Sequence, residues 1–361
     1  LSDGGGIFLS TNSNLDIRNH TKMLRNTAVS GSGGAIACNN CASIKFREGT
    51  VFQLNVDGHS GGAVHLSSPK SPVISSGSHF VDNTAEMENG GAVHSHHGNW
   101  TSLGDRFQSN VAAAGSGGAF ASFSSNVRFD TKTSCLENKA PQGGGGCLLW
   151  NPEATNAEDE KWKTLEPIIG IMSMMTHNEA AFGATLATSG ASLNAVVASK
   201  SNLSTLARMT TNDKKFLGPL HPKVELLDRY GSVVRGKLAK DIEVEAKLLG
   251  SGVDLNLFGA TVTKISENGM SSFVDIGIQG RPGSGPHNIS FEASSGTTLL
   301  KTLTPVSAWI DVCGENLYLE DDRCVNCPTR SVSAAGSTNR TDCSCDNTTY
   351  PGVFEDQSEE C

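Results

Sequence analysis

Gly61-Gly62-Ala63-Val64-His65, preceded by Phe52-Gln53-Leu54-Asn55, is the stretch whose reading decides the fold. The two signals, F-x-x-N and then G-G-A-aliphatic, return through the first half of the chain. The first Gly of the pair falls at 4, 33, 61, 90, 117 and 145, in steps of 29, 28, 29, 27 and 28 residues. Met23 to Asn26, Phe52 to Asn55, Phe80 to Asn83, Phe107 to Asn110 and Cys135 to Asn138 run in step with it. A further apolar beat stands six residues before the F-position, at Ile17, Phe46, Ile74 and Phe129. A worn copy, Met175 to Asn178 with Phe182-Gly183-Ala184, follows a charged insertion at 151–167 that reads as a surface loop. Repetition at a fixed period of this length indicates a solenoid.

The type of solenoid follows from residue chemistry. The units are rich in Gly, Ser and Asn and lack the 3.6-residue apolar period that paired helices need, and no leucine scaffold is present. Short apolar pairs between Gly and Asn turns predict a coil of three short strands, stacked into a parallel β-helix with coils about 4.8 Å apart. Ile7, Ile36, Val64, Val93, Phe120 and Leu148, three after the first Gly, are assigned to the interior, as is the F-position column from Met23 to Met175. Asn26, Asn55, Asn83, Asn110, Asn138 and Asn178 are expected to form an asparagine ladder, because Asn tolerates a left-handed turn and its amide can bond along a stack. The Gly pair is expected at a bend that side chains would obstruct.

These units resemble the G-G-A-[ILV] and F-x-x-N repeats of polymorphic outer-membrane autotransporter passengers. The resemblance covers roughly residues 1–190. It implies a right-handed, pectin-lyase-like β-helix with an adhesive or surface-display role. Some β-helices cleave polysaccharides with clustered carboxylates. Here Asp57, Asp82, Asp105 and Asp130 occupy different repeat slots, so no catalytic residue and no cofactor is expected.

His65 and His94 do share a slot, four after the first Gly, with His96 and His97 close by. Two imidazoles on a strand face can hold Zn or Cu. The slot otherwise holds Phe8, Ala37, Ala121 and Leu149, which favours an outward face and a solvated pair over a metal site. Cys38-Asn39-Asn40-Cys41 has no second C-x-x-C partner in the array, so a local disulfide is expected, and Cys135 and Cys147, which fall within one coil, are expected to pair.

The period ends before a middle region at 206–312, with the solenoid assigned to 1–205. Strand patterns at Val224 to Leu227, Ile242 to Leu249, Leu257 to Ile265, Met270 to Ile278, His287 to Ala293 and Val306 to Val312 predict a Greek-key sandwich, with Asn268-Gly269 as a hairpin turn. Asp228-Arg229-Tyr230-Gly231-Ser232-Val233-Val234 and Asn268-Gly269-Met270-Ser271-Ser272-Phe273 resemble signatures of filamin-like and bacterial Ig-like domains, with Ser232 where those carry Asn. The resemblance implies a spacer or assembly role.

Residues 313–361 hold six cysteines and little apolar material, a module held by disulfides. The segment Cys324 to Cys345, with Pro328, Ser331, Ser333, Gly336 and the C-x-C, resembles ephrin-receptor-like modules, relatives in style of EGF and TNF-receptor repeats. Fifteen pairings are open. Nearest-neighbour closure gives Cys313–Cys324, Cys327–Cys343 and Cys345–Cys361.

The net charge of −9 excludes a phosphate-collecting surface, so no nucleic-acid partner is expected. No apolar run is long enough to span a membrane. Sequons at Asn19, Asn99, Asn202, Asn288, Asn339 and Asn347, together with the cysteines, point outside the reducing cytosol. The chain is read as an all-β segment of a larger secreted or surface-anchored glycoprotein. A non-enzymatic structural or adhesive role is expected, in a surface filament, a flagellar-hair-like appendage or a coat. The partners would be other copies of the chain or other extracellular structural proteins. The alternatives are carbohydrate binding or cleavage on the β-helix, and receptor–ligand recognition.

Overall fold

The computed structural model describes residues 4–47, 49–152, 165–170, 174–196, 222–240, 242–250, 255–274, 276–295, 298–302, 304–321 and 323–345. Four parallel sheets, one of seven strands and three of six, run the length of a β-solenoid. Each coil contributes one strand to each sheet. In the coil around the opening stretch these are Ile36–Asn39, Ser43–Phe46, Val51–Gln53 and Val56–Asp57, after which Val64–Ser67 starts the next coil. The three strands expected per coil are therefore four. In the first four coils the fourth is a two-residue strand directly after the asparagine, too short to leave an alternating apolar pattern.

Four strands need four corners, and most of them have a left-handed residue; the corner at Asp130–Thr133 is closed instead by the Asp130 carboxylate. Asn40, Ser68, His97 and Ser124 turn the chain out of the first sheet, and Gly49, Gly77 and Gly104 out of the second. Arg25, Leu54, Asp82, Ser109, Glu137 and His177 form the third column, with φ between 54° and 59°. The first glycines of the G-G pairs form the fourth, from Gly4 at φ +76° to Gly145 at +70°, and Gly183 of the worn copy continues it at +54°. The left-handed residue of F-x-x-N is thus the one before the asparagine. The asparagine is retained for its side chain.

That side chain is saturated with bonds. Asn83 Oδ1 accepts from Asn55 N–H at 3.1 Å and Asn55 Nδ2 at 2.9 Å. Asn83 Nδ2 donates to Asn110 Oδ1 at 2.9 Å and back to the Phe52 carbonyl at 3.0 Å. The same pattern links Asn26, Asn55, Asn83, Asn110, Asn138 and Asn178 in one chain of amides. The second glycine of each pair has a separate reason: a Cβ on Gly62 would lie 2.1 Å from the Gly91 carbonyl of the next coil.

The interior is a stack at the coil spacing. Phe52, Phe80 and Phe107 lie ring over ring with centroids 4.8 Å apart. Cys135 continues the column, and its disulfide to Cys147 crosses from the third sheet to the first. The beat at Ile17, Phe46 and Phe129 is inside, but Ile74 is 39% exposed. Register explains the exception: Ser75, not Ile74, pairs with Phe46, and Ser102 follows it. Trp100 packs into the space two serines leave, 6.0 Å from both Phe46 and Phe80.

Beyond the solenoid lie antiparallel sheets. Ser192–Val196, within the 1–205 span expected for the solenoid, pairs antiparallel with Lys223–Leu227. Leu257 to Ile265 contains two strands, Asn256–Gly259 and Val262–Lys264, and Met270 to Ile278 likewise divides into Met270–Ser272 and Ile276–Gln279. Gly269 makes a tight turn at φ +81°. The strands on either side enter different sheets, so Asn268-Gly269 is a crossover corner rather than a hairpin. In the C-terminal region Cys313–Cys324 and Cys327–Cys343 are bonded. Cys361, the expected partner of Cys345, lies outside the described residues, as do positions 153–164 of the insertion.

Replacing Asn83 by Ala strands two donors on Asn55 and the Phe52 carbonyl, and should cost about 3 kcal/mol. Leu54→Asn at the left-handed corner should instead stabilise by about 1 kcal/mol. Denaturant unfolding of both variants reads the opposite signs.

Candidate functional site

Three places concentrate polar or titratable groups: two buried carboxylates inside the solenoid, the seam with the antiparallel region, and a histidine group on the first sheet.

Asp57 and Asp105 are fully buried. Asp57 Oδ2 accepts from Gly33 N–H at 2.8 Å and Oδ1 from His59 N–H at 3.0 Å. Asp105 accepts from Ser78 N–H at 2.7 Å and from the Ser102 hydroxyl. Ser75 Oγ faces Asp105 without meeting hydrogen-bond geometry. Burial pushes each carboxyl up to about 6, against the pull of those donors. Asp130 is held below the usual carboxylate range despite some burial, because Gly104, Lys132 and Thr133 N–H groups and the Thr133 hydroxyl all donate to it. Each acid serves its own turn or corner: Asp57 lies in a fourth-sheet strand and Asp105 in the corner between Trp100–Leu103 and Arg106–Gln108, in different slots.

The seam is built by Asp228. Its Oδ1 accepts from Tyr230 N–H at 2.9 Å and Ser232 N–H at 2.8 Å, which closes the turn. Its Oδ2 accepts from Thr188 N–H of the solenoid at 3.3 Å, and Thr188 Oγ1 accepts from Arg229 N–H at 3.0 Å. Burial raises the Asp228 pKa. Trp150 Nε1 donates to the Tyr230 hydroxyl at 2.9 Å, and Lys237 reaches the Met87 carbonyl at 3.2 Å. Leu149, Phe182 and Ala187 of the solenoid share one apolar core with Leu193, Val224, Leu226, Val244, Ile289 and Phe291. One residue pattern signals this seam: Trp150 stands in a column that holds Leu66, Ser95 and Ser122 in earlier coils.

His65 and His94 stand opposite each other in adjoining strands of the first sheet. Their outward slot is not solvated throughout: Phe8 is 50% exposed, while Ala37 on one side of the pair and Ala121, Leu149 and Ala187 on the other are buried. The histidines lie between, both half-buried. His94 keeps a solvent-facing edge, yet the atoms packed around it, with His65 and His96, push its pKa well below the usual value. Phe123, at 5.2 Å from the His94 ring, packs on the core shared with the antiparallel region. Among the described residues no group of three or more His, Cys, Asp and Glu side chains is placed to hold a metal. Cys38 and Cys41 are disulfide-bonded. Asn19, Asn99, Asn288 and Asn339 are exposed, and Asn202 and Asn347 lie outside the described residues.

Because native Asp57 and Asp105 hold protons that the unfolded chain has released between pH about 4 and 6, stability should fall as pH rises through that window. Asp105 alone accounts for roughly 2–3 kcal/mol. Asp105→Asn should flatten this slope in urea midpoints recorded across that pH range; an unchanged slope would refute the raised pKa.

No protein family, no curated protein and no solved structure matches this chain.

Proposed function

We propose that the chain is a non-enzymatic structural or adhesive segment of an extracellular surface protein. The observation that carries this reading is the single apolar core joining the last coils of the solenoid to the antiparallel sheets. A solenoid alone is stiff along its axis, but a linked domain normally moves unless the interface is large and apolar. Here the shared core is reinforced by Trp150–Tyr230, Thr188–Asp228 and Met87–Lys237. Such a junction transmits force and orientation, which suits a spacer in a surface filament, appendage or coat.

Two further features support the reading. Four disulfides among the described residues are compatible with an oxidising, extracellular location. No helix among them is long and apolar enough to cross a membrane. The antiparallel region would be an Ig-like spacer, and the cysteine-rich end an EGF-style clip. Glycans would attach at exposed sequons such as Asn19, Asn99, Asn288 and Asn339, and other copies or other extracellular structural proteins would be the partners.

Electron microscopy of the native material should show the protein in ordered filaments or a regular surface layer. Incubation with pectin-like and alginate-like polysaccharides should leave them intact. Release of reducing ends or unsaturated products would replace the structural reading with an enzymatic one.

A further inference from the structure

The histidine pair carries more than its sequence suggested. His65 Nδ1 and His94 Nδ1 are 3.2 Å apart, on rings whose centroids are 4.9 Å apart and whose planes differ by 20°. Without a metal, two neutral imidazoles so placed share one Nδ1 proton. The same separation also fits a chelate. Metal–imidazole bonds of about 2.0–2.1 Å put two nitrogens about 3.3 Å apart at a tetrahedral angle and about 2.9 Å apart at a right angle. The observed distance falls between those limits.

The backbone fixes this distance. Val64, His65, Leu66 and Ser67 pair in register with Val93, His94, Ser95 and His96, so the two rings rise from neighbouring rungs of one parallel ladder. Phe123 backs the His94 ring and limits its freedom to turn away from His65.

We propose that His65 and His94 together bind one Zn²⁺ ion, or another imidazole-seeking divalent metal, through their Nδ1 atoms. The proton shared in the metal-free pair moves to Nε2 of its own ring, so both rings stay neutral. With two protein ligands, the other coordination positions are open to water, and affinity is below that of a closed four-ligand site. The ion ties one coil to the next from outside, as the amide ladder does from within. His96 and His97 also place Nδ1 atoms 3.2 Å apart. Their ring planes differ by 71°, against 20° in the pair across the coils, and as neighbours in one strand end and corner they link no two coils, so they serve as an internal control.

The test is calorimetric titration of the full chain with ZnCl₂ near neutral pH in a chelator-free buffer, with thermal unfolding followed in parallel. One Zn²⁺ should bind per chain and raise the unfolding midpoint, because it binds only the folded pair. His65→Ala, His94→Ala and the milder His65→Gln should each weaken binding about tenfold or more and remove the stabilisation. His96→Ala and His97→Ala should leave the affinity within about twofold. Unfolding midpoints without metal show that each variant is folded. Wild-type protein that takes up no Zn²⁺, or binding that survives in folded His65→Ala and His94→Ala, overturns the proposal.

Discussion

Every other feature of the solenoid depends on one closure condition: each coil must return to its starting point one strand spacing further on. That spacing is set by backbone hydrogen bonding between parallel strands, and the Phe52, Phe80 and Phe107 rings stack at the same interval. Closure within about 28 residues requires four sharp corners, and L-residues turn that sharply by entering the left-handed region. Glycine meets the need at two corners without steric cost. At the other two, side chains accept strain that the rest of the coil offsets. The asparagine ladder is one such offset, because each buried amide bonds the backbone of the preceding coil and the side-chain amide of the next.

Local polarity inside the solenoid follows from the same geometry. A fixed backbone path leaves donors such as Gly33 N–H and Ser78 N–H pointing inward, and Asp57 and Asp105 meet them. The carboxylates lose hydration in doing so, and their raised pKa values record that imbalance. These shifts arise from scaffolding. A perturbed carboxyl alone would have suggested catalysis. Its bonding partners identify it instead as a cap for a turn.

At the other end of the solenoid the constraint changes from repetition to termination. A stack of coils leaves its last outward and interior faces open unless something covers them. Leu149 and Ala187 sit in a slot that carries Phe8, His65 and His94 in earlier coils, and the antiparallel sheets cover them. In that slot His65 and His94 lie between the buried Ala37 and Ala121, exposed enough for solvent to reach and enclosed enough to be held in place.

The sequence by itself determined the solenoid. Six glycine pairs and five asparagines at a near-constant step, with Asn178 following after the insertion, leave a stacked coil as the economical explanation, and the F-position column follows from it. Period also put His65 beside His94, since equal slots in adjoining repeats become neighbours. What only the tertiary structure decided depends on distances between residues remote in the chain or on backbone conformation without a residue signature. The fourth strand is two residues long in the first four coils and leaves no alternation. The left-handed position holds Arg25, Leu54, Asp82, Ser109, Glu137 and His177, types with no common preference. Ile74 carries the right apolar chemistry at the expected step, but a corner one residue shorter turns it outward. Asn268-Gly269 makes its turn locally, while the sheets its flanking strands join are chosen by packing. Asp228 and Tyr230 meet Thr188 and Trp150 across dozens of residues, through bonds that no local pattern encodes.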